Sequence, residues 1–391
     1  MEPIHVDTDT KDARVKVAGR ISFSGQELPV GLDIGHNQIR AVQLKHHNGE
    51  LVLHDFGSIP IPEGATNEGE IIDTAAITEA LKTFWRERKF TGKVVATGVA
   101  NQQIIFRMID FPWTDEKDLR EAVLLQAQEF IPIPVEDAII DFAITGEKVN
   151  DKGERVYELM LSAVQKDIIN KVVSSIQDAG LKLARIDLTP LALVRSVLGD
   201  NDAPVNYDDF FGKSETVAVL HIASGVTNLA IVEAGVPRFI RFLPTGGDVF
   251  TSVLASELKI PRDEAEKIKR DLGLPALDGS VPALMDYDAE LVFKAQSILE
   301  REVSRYINEL RLSLEFYMSN STSGAEITKI FATGSGMRLI NLPAYLESSL
   351  KADVQIIDPF ASISVSDTLQ RYLGTERYSY APAIGLAIGG R

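Results

Sequence analysis

Cysteine is absent from this 391-residue chain. That excludes a disulfide framework and thiolate metal sites, and it fits a reducing compartment. Positive charge is scarce: 40 lysines and arginines stand against 56 acids, for a formal net charge of −16. Such a balance speaks against binding a nucleic-acid backbone. No apolar run approaches the ~18–20 residues that span a bilayer. The opening "MEPIHVDTDTKDARVKVAG" lacks the apolar h-region of a secretory signal. The six histidines, His46-His47 among them, show no spacing of a structural metal site. The expectation is a soluble cytoplasmic protein with no nucleic-acid partner and no direct membrane insertion. What the chain does have is 45% hydrophobic residues, at a length beyond the ~250–300 residues where single cores stop growing, so two or more cores are expected.

Residues 1–29 are polar and read as an arm. From Val30 the pattern turns strand-rich: 30–35, 38–44 and 51–57, with Asn48-Gly49 as a hairpin turn. A helix is expected over 75–88, with Ile77, Leu81, Phe84 and Trp85 on one face, then strands over 92–100 and 103–112. Thr114 can N-cap a helix whose face carries Leu119, Ala122, Val123, Ala127 and Phe130, stopped by "IPIP" at 131–134. Strands at 138–146 and 156–164, a helix at 166–179 and a strand near 183–188 follow. Residues 114–195 therefore read as an inserted subdomain between a first lobe, 30–113, and a second lobe, 196–391. In the second lobe a helix over 288–318 carries Leu299, Val303, Tyr306, Ile307, Leu310, Leu314 and Tyr317 on one face. The alternation of strands and helices gives an α/β chain.

Two stretches carry the chemistry. "VGLDIGHNQIRAVQL" (30–44) and "VAVLHIASGVTNLAIVE" (217–233) align without a gap at an offset of 188 residues, placing Asp33 over His221. A repeat at that distance points to duplicated domains. A tight turn between two strands can aim backbone N–H groups at phosphate oxygens, and an Asp at the end of the first strand can hold a hydrated Mg²⁺. Asp33-Ile34-Gly35 suits that task, although as a lone tripeptide it also reads as an ordinary hairpin with a turn glycine. A third element, Thr333-Gly334-Ser335-Gly336, lies between the apolar "KIFA" and a helix start, where small residues permit close approach of a ring or phosphate. Hairpin, displaced repeat and late glycine turn, in that order, describe a clamp that holds a nucleotide between two lobes.

This order resembles the actin, Hsp70 and sugar-kinase superfamily: "VGLDIG" is similar to its first phosphate motif, "LHIASGVTNLAIV" to its second and "IFATGSG" to its adenosine motif. The blocks "EAVLLQAQEFIPIPVEDAIIDFAI", "DAGLKLARIDLTPLAL", "FLPTGGDVFTSVLASELKIPRDEAEKIKRDLG", "LRLSLEFYMS" and "YAPAIGLAIGG" resemble the FtsA-like PilM family of type IV pilus assembly, over nearly all of 30–391. The resemblance implies a duplicated actin-like two-lobe fold with an FtsA-like small inserted subdomain, and a C-terminal helix, about 381–391, that returns to the first lobe. It implies ATP or ADP with Mg²⁺, the metal held through water by Asp33. Nucleotide contacts would come from Asp33, Gly35, His36, Asn37, Ser224, Gly225, Thr227, Gly246, Gly247, Gly334, Ser335, Gly336 and Arg338, with Glu264 and Lys267 at the ribose or base. It further implies recruitment of the N-terminal cytoplasmic tail of a PilN-like inner-membrane protein, next to other assembly proteins on the motor ATPase side. The implied location is the inner face of the membrane, held there through partners.

The departures shape the functional expectation. Where the second motif of the family begins Asp-Ile-Gly, this chain has His221-Ile222-Ala223, and the small hydroxyl residue usual after Gly35 is His36. A metal shared by two acids would find only Asp33. A satisfied strand-end histidine is the plain reading of His221, and a solvated amphipathic helix is the plain reading of "DEAEKIKRD". The expectation is a nucleotide-binding scaffold with slow or absent hydrolysis. An active ATPase or sugar-kinase-type phosphotransferase, and an interaction module that has lost nucleotide, are the alternatives.

Overall fold

The computed structural model describes residues 28–88, 90–199, 216–279, 287–321, 324 and 326–389; the arm expected at 1–29 lies almost wholly outside them. The first lobe opens with a meander of β1 (Val30–Ile34), β2 (Gln38–His47) and β3 (Glu50–Pro60). Asn48 and Gly49 join β2 to β3 with φ of 53° and 88°, the doubly positive turn that matches strand twist. A two-residue pair, β4 (Thr66–Asn67) and β5 (Glu70–Ile71), leads into α1 (Thr74–Arg88) and β6 (Val94–Val99). Next come β7 (Ile105–Pro112), α2 (Glu116–Phe130), β8 (Ala138–Val149) and β9 (Arg155–Gln165). The half closes with α3 (Lys166–Asp178), β10 (Lys182–Leu188) and α4 (Thr189–Leu198).

The second half contains β11 (Thr216–Ile222), β12 (Thr227–Glu233), β13 (Val236–Leu243), α5 (Gly247–Leu258), α6 (Arg262–Leu272) and the long α7 (Ala289–Asn320). It ends with β14 (Lys329–Thr333), α8 (Leu342–Leu350), β15 (Asp353–Ile356), α9 (Asp367–Leu373) and α10 (Ala381–Ile388).

Among the described residues the two main sheets share one plan. The first has the order β10-β6-β1-β2-β3 and the second β15-β14-β11-β12-β13. In each, an antiparallel meander is extended on one side by two parallel strands. The equivalence reaches single residues: Asp33 pairs with Arg40 across the first hairpin, and His221 with Asn228 across the second.

β11 is buried along its whole length, because both faces of its sheet are covered. Val217 and Val219 belong to a core shared with α4 residues Leu191, Val194 and Leu198 that runs on into the first lobe. Ala218, Leu220 and Ile222 belong to the other core, with Phe250, Leu254, Ile268 and Val303. The strand period of two thus splits one strand between an interlobe core and an outer one.

The sheets draw the subdomain more tightly than 114–195. β7, expected in the first lobe, is an edge of the three-stranded sheet β7-β9-β8. β10, expected in the subdomain, pairs with β6 in the first-lobe sheet. The inserted unit is thus the small sheet with α2: one face packs with that helix around Phe111, Leu119, Val123, Leu159 and Leu161, and Ile139, Met160 and Val164 join the first-lobe core. It also touches the second lobe, where Arg238 of β13 pairs with Glu158 of β9. Thr114 does not cap α2. Its hydroxyl donates to the Pro112 carbonyl at 3.1 Å, and Asp115 is the N-cap, its carbonyl accepting from Asp118 and Leu119 N–H.

α10 lies on β1 and α4. A methyl group on Gly31 would overlap the Ala383 carbonyl, and one on Gly385 the Ala192 carbonyl, so both glycines are required by backbone approach. Arg195 donates to Gly385 O at 3.3 Å, and Arg185 donates to Leu386 O, so two cations meet the carbonyl end of the helix.

Candidate functional site

The two hairpin turns face each other across a cleft of about 60 Å³. It is lined by Asp33, Gly35, His36 and Arg40 from the first hairpin, by His221, Ser224, Gly225 and Asn228 from the second, and by Ser335 from the late glycine turn. Thr189 and Ser379 line it as well. Of the residues implied by the resemblance, Asp33, Gly35, His36, Ser224, Gly225 and Ser335 are thus brought together. Asn37 stands exposed at the rim, where its Oδ1 accepts from Ser224 Oγ at 2.9 Å.

Among the described residues Asp33 is the only carboxylate that lines the cleft. Burial pushes its pKa up to about 6, against the pull of Arg40. His221 moves the other way. Burial, reinforced by Arg40, lowers its pKa to about 3, so its imidazole is neutral at physiological pH. Nδ1 of His221 lies 3.4 Å from the Asn228 amide nitrogen. Accepting that N–H places the ring proton on Nε2. The group in the place of the second acid is therefore a neutral donor, neither an anion nor a strong base.

Among the described residues Arg40 is the one arginine or lysine that lines the cleft, and sequence reasoning missed it. Its guanidinium donates to Gln38 Oε1 at 2.9 Å and acts on both Asp33 and His221. The hairpin itself holds the signal, since its register sets Arg40 directly across from Asp33.

Several glycines have reasons inside the protein. A methyl on Gly225 would strike the His36 ring, and one on Gly246 the carbonyls of Ala223 and Ser224. The N-terminus of α5 is occupied by the second turn: Gly247 N–H donates to Ala223 O at 3.0 Å and Asp248 N–H to Ser224 O at 2.8 Å. Those donors serve the fold instead of a free anion. Thr227 is fully buried and donates to Thr245 O at 2.7 Å. Gly334, at φ 100°, sits on the Ile222 carbonyl and donates its N–H to Tyr378 O at 3.1 Å, and Gly336 packs on the Ile222 side chain. Arg338 pairs with Glu376.

Glu264 and Lys267 are exposed on α6 and do not line the cleft. Glu266 and Lys269 are the ones that turn inward. Lys269 Nζ donates to Gly247 O at 3.0 Å and Thr251 Oγ1 at 2.7 Å, and it pairs with Glu266 at 2.6 Å.

Measured against an anionic nucleotide and its metal, the cleft fits in part. Arg40 can meet phosphate, and Ser224, Ser335 and Asn37 offer polar contacts. Three buried atoms of lining residues, His36 Nδ1, Asn228 Oδ1 and Ser379 Oγ, have no protein partner, so the site can take further hydrogen bonds. Among the described residues no group of three or more metal-ligating side chains occurs. A magnesium ion here would rely on Asp33, phosphate oxygens and water.

Two lobes built on one sheet plan, with paired hairpins facing a shared cleft and a small inserted sheet, define a protein of the actin-like class. Residues 31–391 match the family described as type IV pilus assembly protein PilM, and the chain belongs to that family. Among solved structures, a PilM–PilN type IV pilus biogenesis complex superposes with a TM-score of 0.75 at 24% identity, covering 92% of this chain and 97% of that one. MreB 5 of Spiroplasma citri bound to AMPPNP gives 0.53 at 12% identity, over 93% of this chain and 96% of that one. Among curated relatives, the cell division protein FtsA of Bacillus subtilis is 21% identical over 390 residues, 93% of this chain and 83% of the relative. FtsA of Neisseria meningitidis is 25% identical over 270 residues, 63% of this chain and 62% of the relative. Among the described residues no helix is long and apolar enough to cross a membrane.

Proposed function

We propose that this PilM-family protein is a nucleotide-binding scaffold of the type IV pilus inner-membrane assembly complex. It takes ATP or ADP with Mg²⁺ between its lobes, turns it over slowly or not at all, and recruits the cytoplasmic tail of a PilN-like protein. The observation that carries the first part is the asymmetry of the duplicated hairpin: one acid with an arginine beside it, facing a buried neutral histidine. Arg40 would hold phosphate oxygen, Asp33 would order the water shell of the metal, and Ser335 would meet the nucleoside end. The metal, when bound, would screen phosphate charge. For hydrolysis a water must lose its proton to a base. Among the described residues Asp33 is the one acid that lines the cleft, and metal ordering already claims it. A fold shared with an AMPPNP-bound relative supports the choice of ligand.

Calorimetric titration with Mg-ATP, followed by phosphate-release measurement, tests this reading. Binding with turnover well below ordinary enzyme rates of ~1 s⁻¹ is expected. His221→Asp should strengthen the Mg²⁺ dependence of binding several-fold. Turnover at ordinary rates in the unaltered protein would overturn the scaffold reading.

A PilN-like partner is supported by the family and by the fold shared with the solved PilM–PilN complex. A tail held between the first lobe and the inserted sheet would bind by adding a strand or by seating a few apolar anchors. Fluorescence titration with the labelled synthetic tail should show 1:1 binding, and no binding would overturn this part alone.

A further inference from the structure

Where the two hairpin turns approach, the protein touches itself. The first turn presents His36 and Asn37, and both cross to the other lobe. Asn37 Oδ1 accepts from Ser224 Oγ at 2.9 Å. His36 Nε2 lies 3.5 Å from Asp248 Oδ2, and the ring rests on Gly225, where a side chain would collide with it. The turn is braced from behind, because Thr66 Oγ1 donates to the His36 carbonyl at 2.5 Å. Asp248 is braced too, by Arg262 at 3.1 Å. His36 Nδ1 is buried without a partner. The remaining cavity, about 60 Å³, is room for a few waters.

We propose that the His36–Asn37 turn is an autoinhibitory clasp: it bridges the lobes between the two phosphate-facing turns, and a nucleotide enters only by breaking it. The clasp presumes the nucleotide reading of the cleft and adds to it a reason for low affinity in the resting state. The large ring at position 36 closes space that a small hydroxyl side chain would leave open. Its contacts are made to the protein itself, so a ligand gains only the difference between its own contacts and those it displaces. The unpartnered Nδ1 fits a ring placed for closure at the expense of full hydrogen bonding.

The absence of cysteine makes the test clean. Nitroxide labels on Glu87→Cys in α1 and Lys294→Cys in α7, both exposed positions, report the interlobe distance by pulsed electron paramagnetic resonance. Nucleotide-free protein should give one narrow distribution. His36→Ala, and separately Asn37→Ala and Asp248→Asn, should broaden it toward longer distances. ADP titrated by calorimetry should bind His36→Ala at least fivefold more tightly than the unaltered protein. Unchanged distances in all three variants would overturn the clasp, as would changed distances without the gain in ADP affinity when the unaltered protein binds ADP. Changed distances with no ADP binding by any protein would uphold the interlobe clasp and overturn the nucleotide reading. Asn37 is exposed and Asp248 lies at a helix start, so these variants keep the test open if His36→Ala fails to fold.

Discussion

Three side chains, Asp33, Arg40 and His221, set the character of the cleft. Among the described residues Arg40 is the only arginine or lysine lining it, and a charge-assisted bond to phosphate contributes about 1.5–3 kcal/mol. Arg40→Ala should therefore weaken ATP binding by about tenfold or more in calorimetry, with the thermal midpoint little changed. The two perturbed groups give opposite pH dependences. Unfolded His221 takes a proton below its ordinary 6.5, while the folded ring takes one only near 3. Across that window the unfolded state binds more protons, so this group destabilises the fold as pH drops. Folded Asp33 takes its proton at about 6 and unfolded Asp33 at 3.8, so over that narrower window acidification stabilises. The two oppose each other between about 6 and 3.8, and the histidine acts alone on either side. His221→Asn removes the destabilising partner and leaves the stabilising one. Between pH 7 and pH 4 the melting temperature of that variant should therefore fall less than that of the unaltered protein. A steeper acid loss in the variant would contradict this assignment.

Among the secondary-structure elements, the repeated hairpin was the most legible feature, because its strands carry a period of two and its turns carry glycine. Its equivalence extends to cross-strand pairs that no propensity encodes. α6 shows why the rest was harder. The sequence offers Glu264, Glu266, Lys267 and Lys269 within two turns. The choice among them follows only from the apolar stripe of Ala265, Ile268 and Leu272, which carries Lys269 inward and leaves Glu264 and Lys267 in solvent. The late glycines were legible as close-approach positions, but the backbone that Gly334 approaches belongs to Ile222, which sequence spacing does not reveal. Tertiary strand pairing likewise moved β7 and β10 across the expected subdomain border. At α10 the requirement is steric. Gly385→Val should cost about 1–3 kcal/mol or more through overpacking against Ala192, read as a lower urea midpoint at unchanged slope. Full stability in that variant would mean the helix does not lie where it is described.

Across the molecule, the two lobes are joined by a common core through α4, by the clasp at the cleft mouth, and by Arg238–Glu158 on the side of the inserted sheet. Ile105 and Ala163 are paired neighbours, so the ends of that unit lie close together. Replacing residues 105–165 with a short glycine linker should leave a cooperatively melting protein by circular dichroism that no longer binds the labelled tail. Deleting 114–195 should instead destroy the fold, because it takes β10 out of the first-lobe sheet. Retention of tail binding by the shorter deletion would place the partner elsewhere.

The seat of α10 also sets an order of events during synthesis. β1 and β2 leave the ribosome early, yet Gly31 lies against Ala383, and Val42 and Leu44 share a core with Ala383, Ile384 and Ala387. A nascent chain that has not reached that helix carries the apolar face of its first sheet bare, whatever the second lobe has done meanwhile. The half that is translated first is thus the half that is finished last.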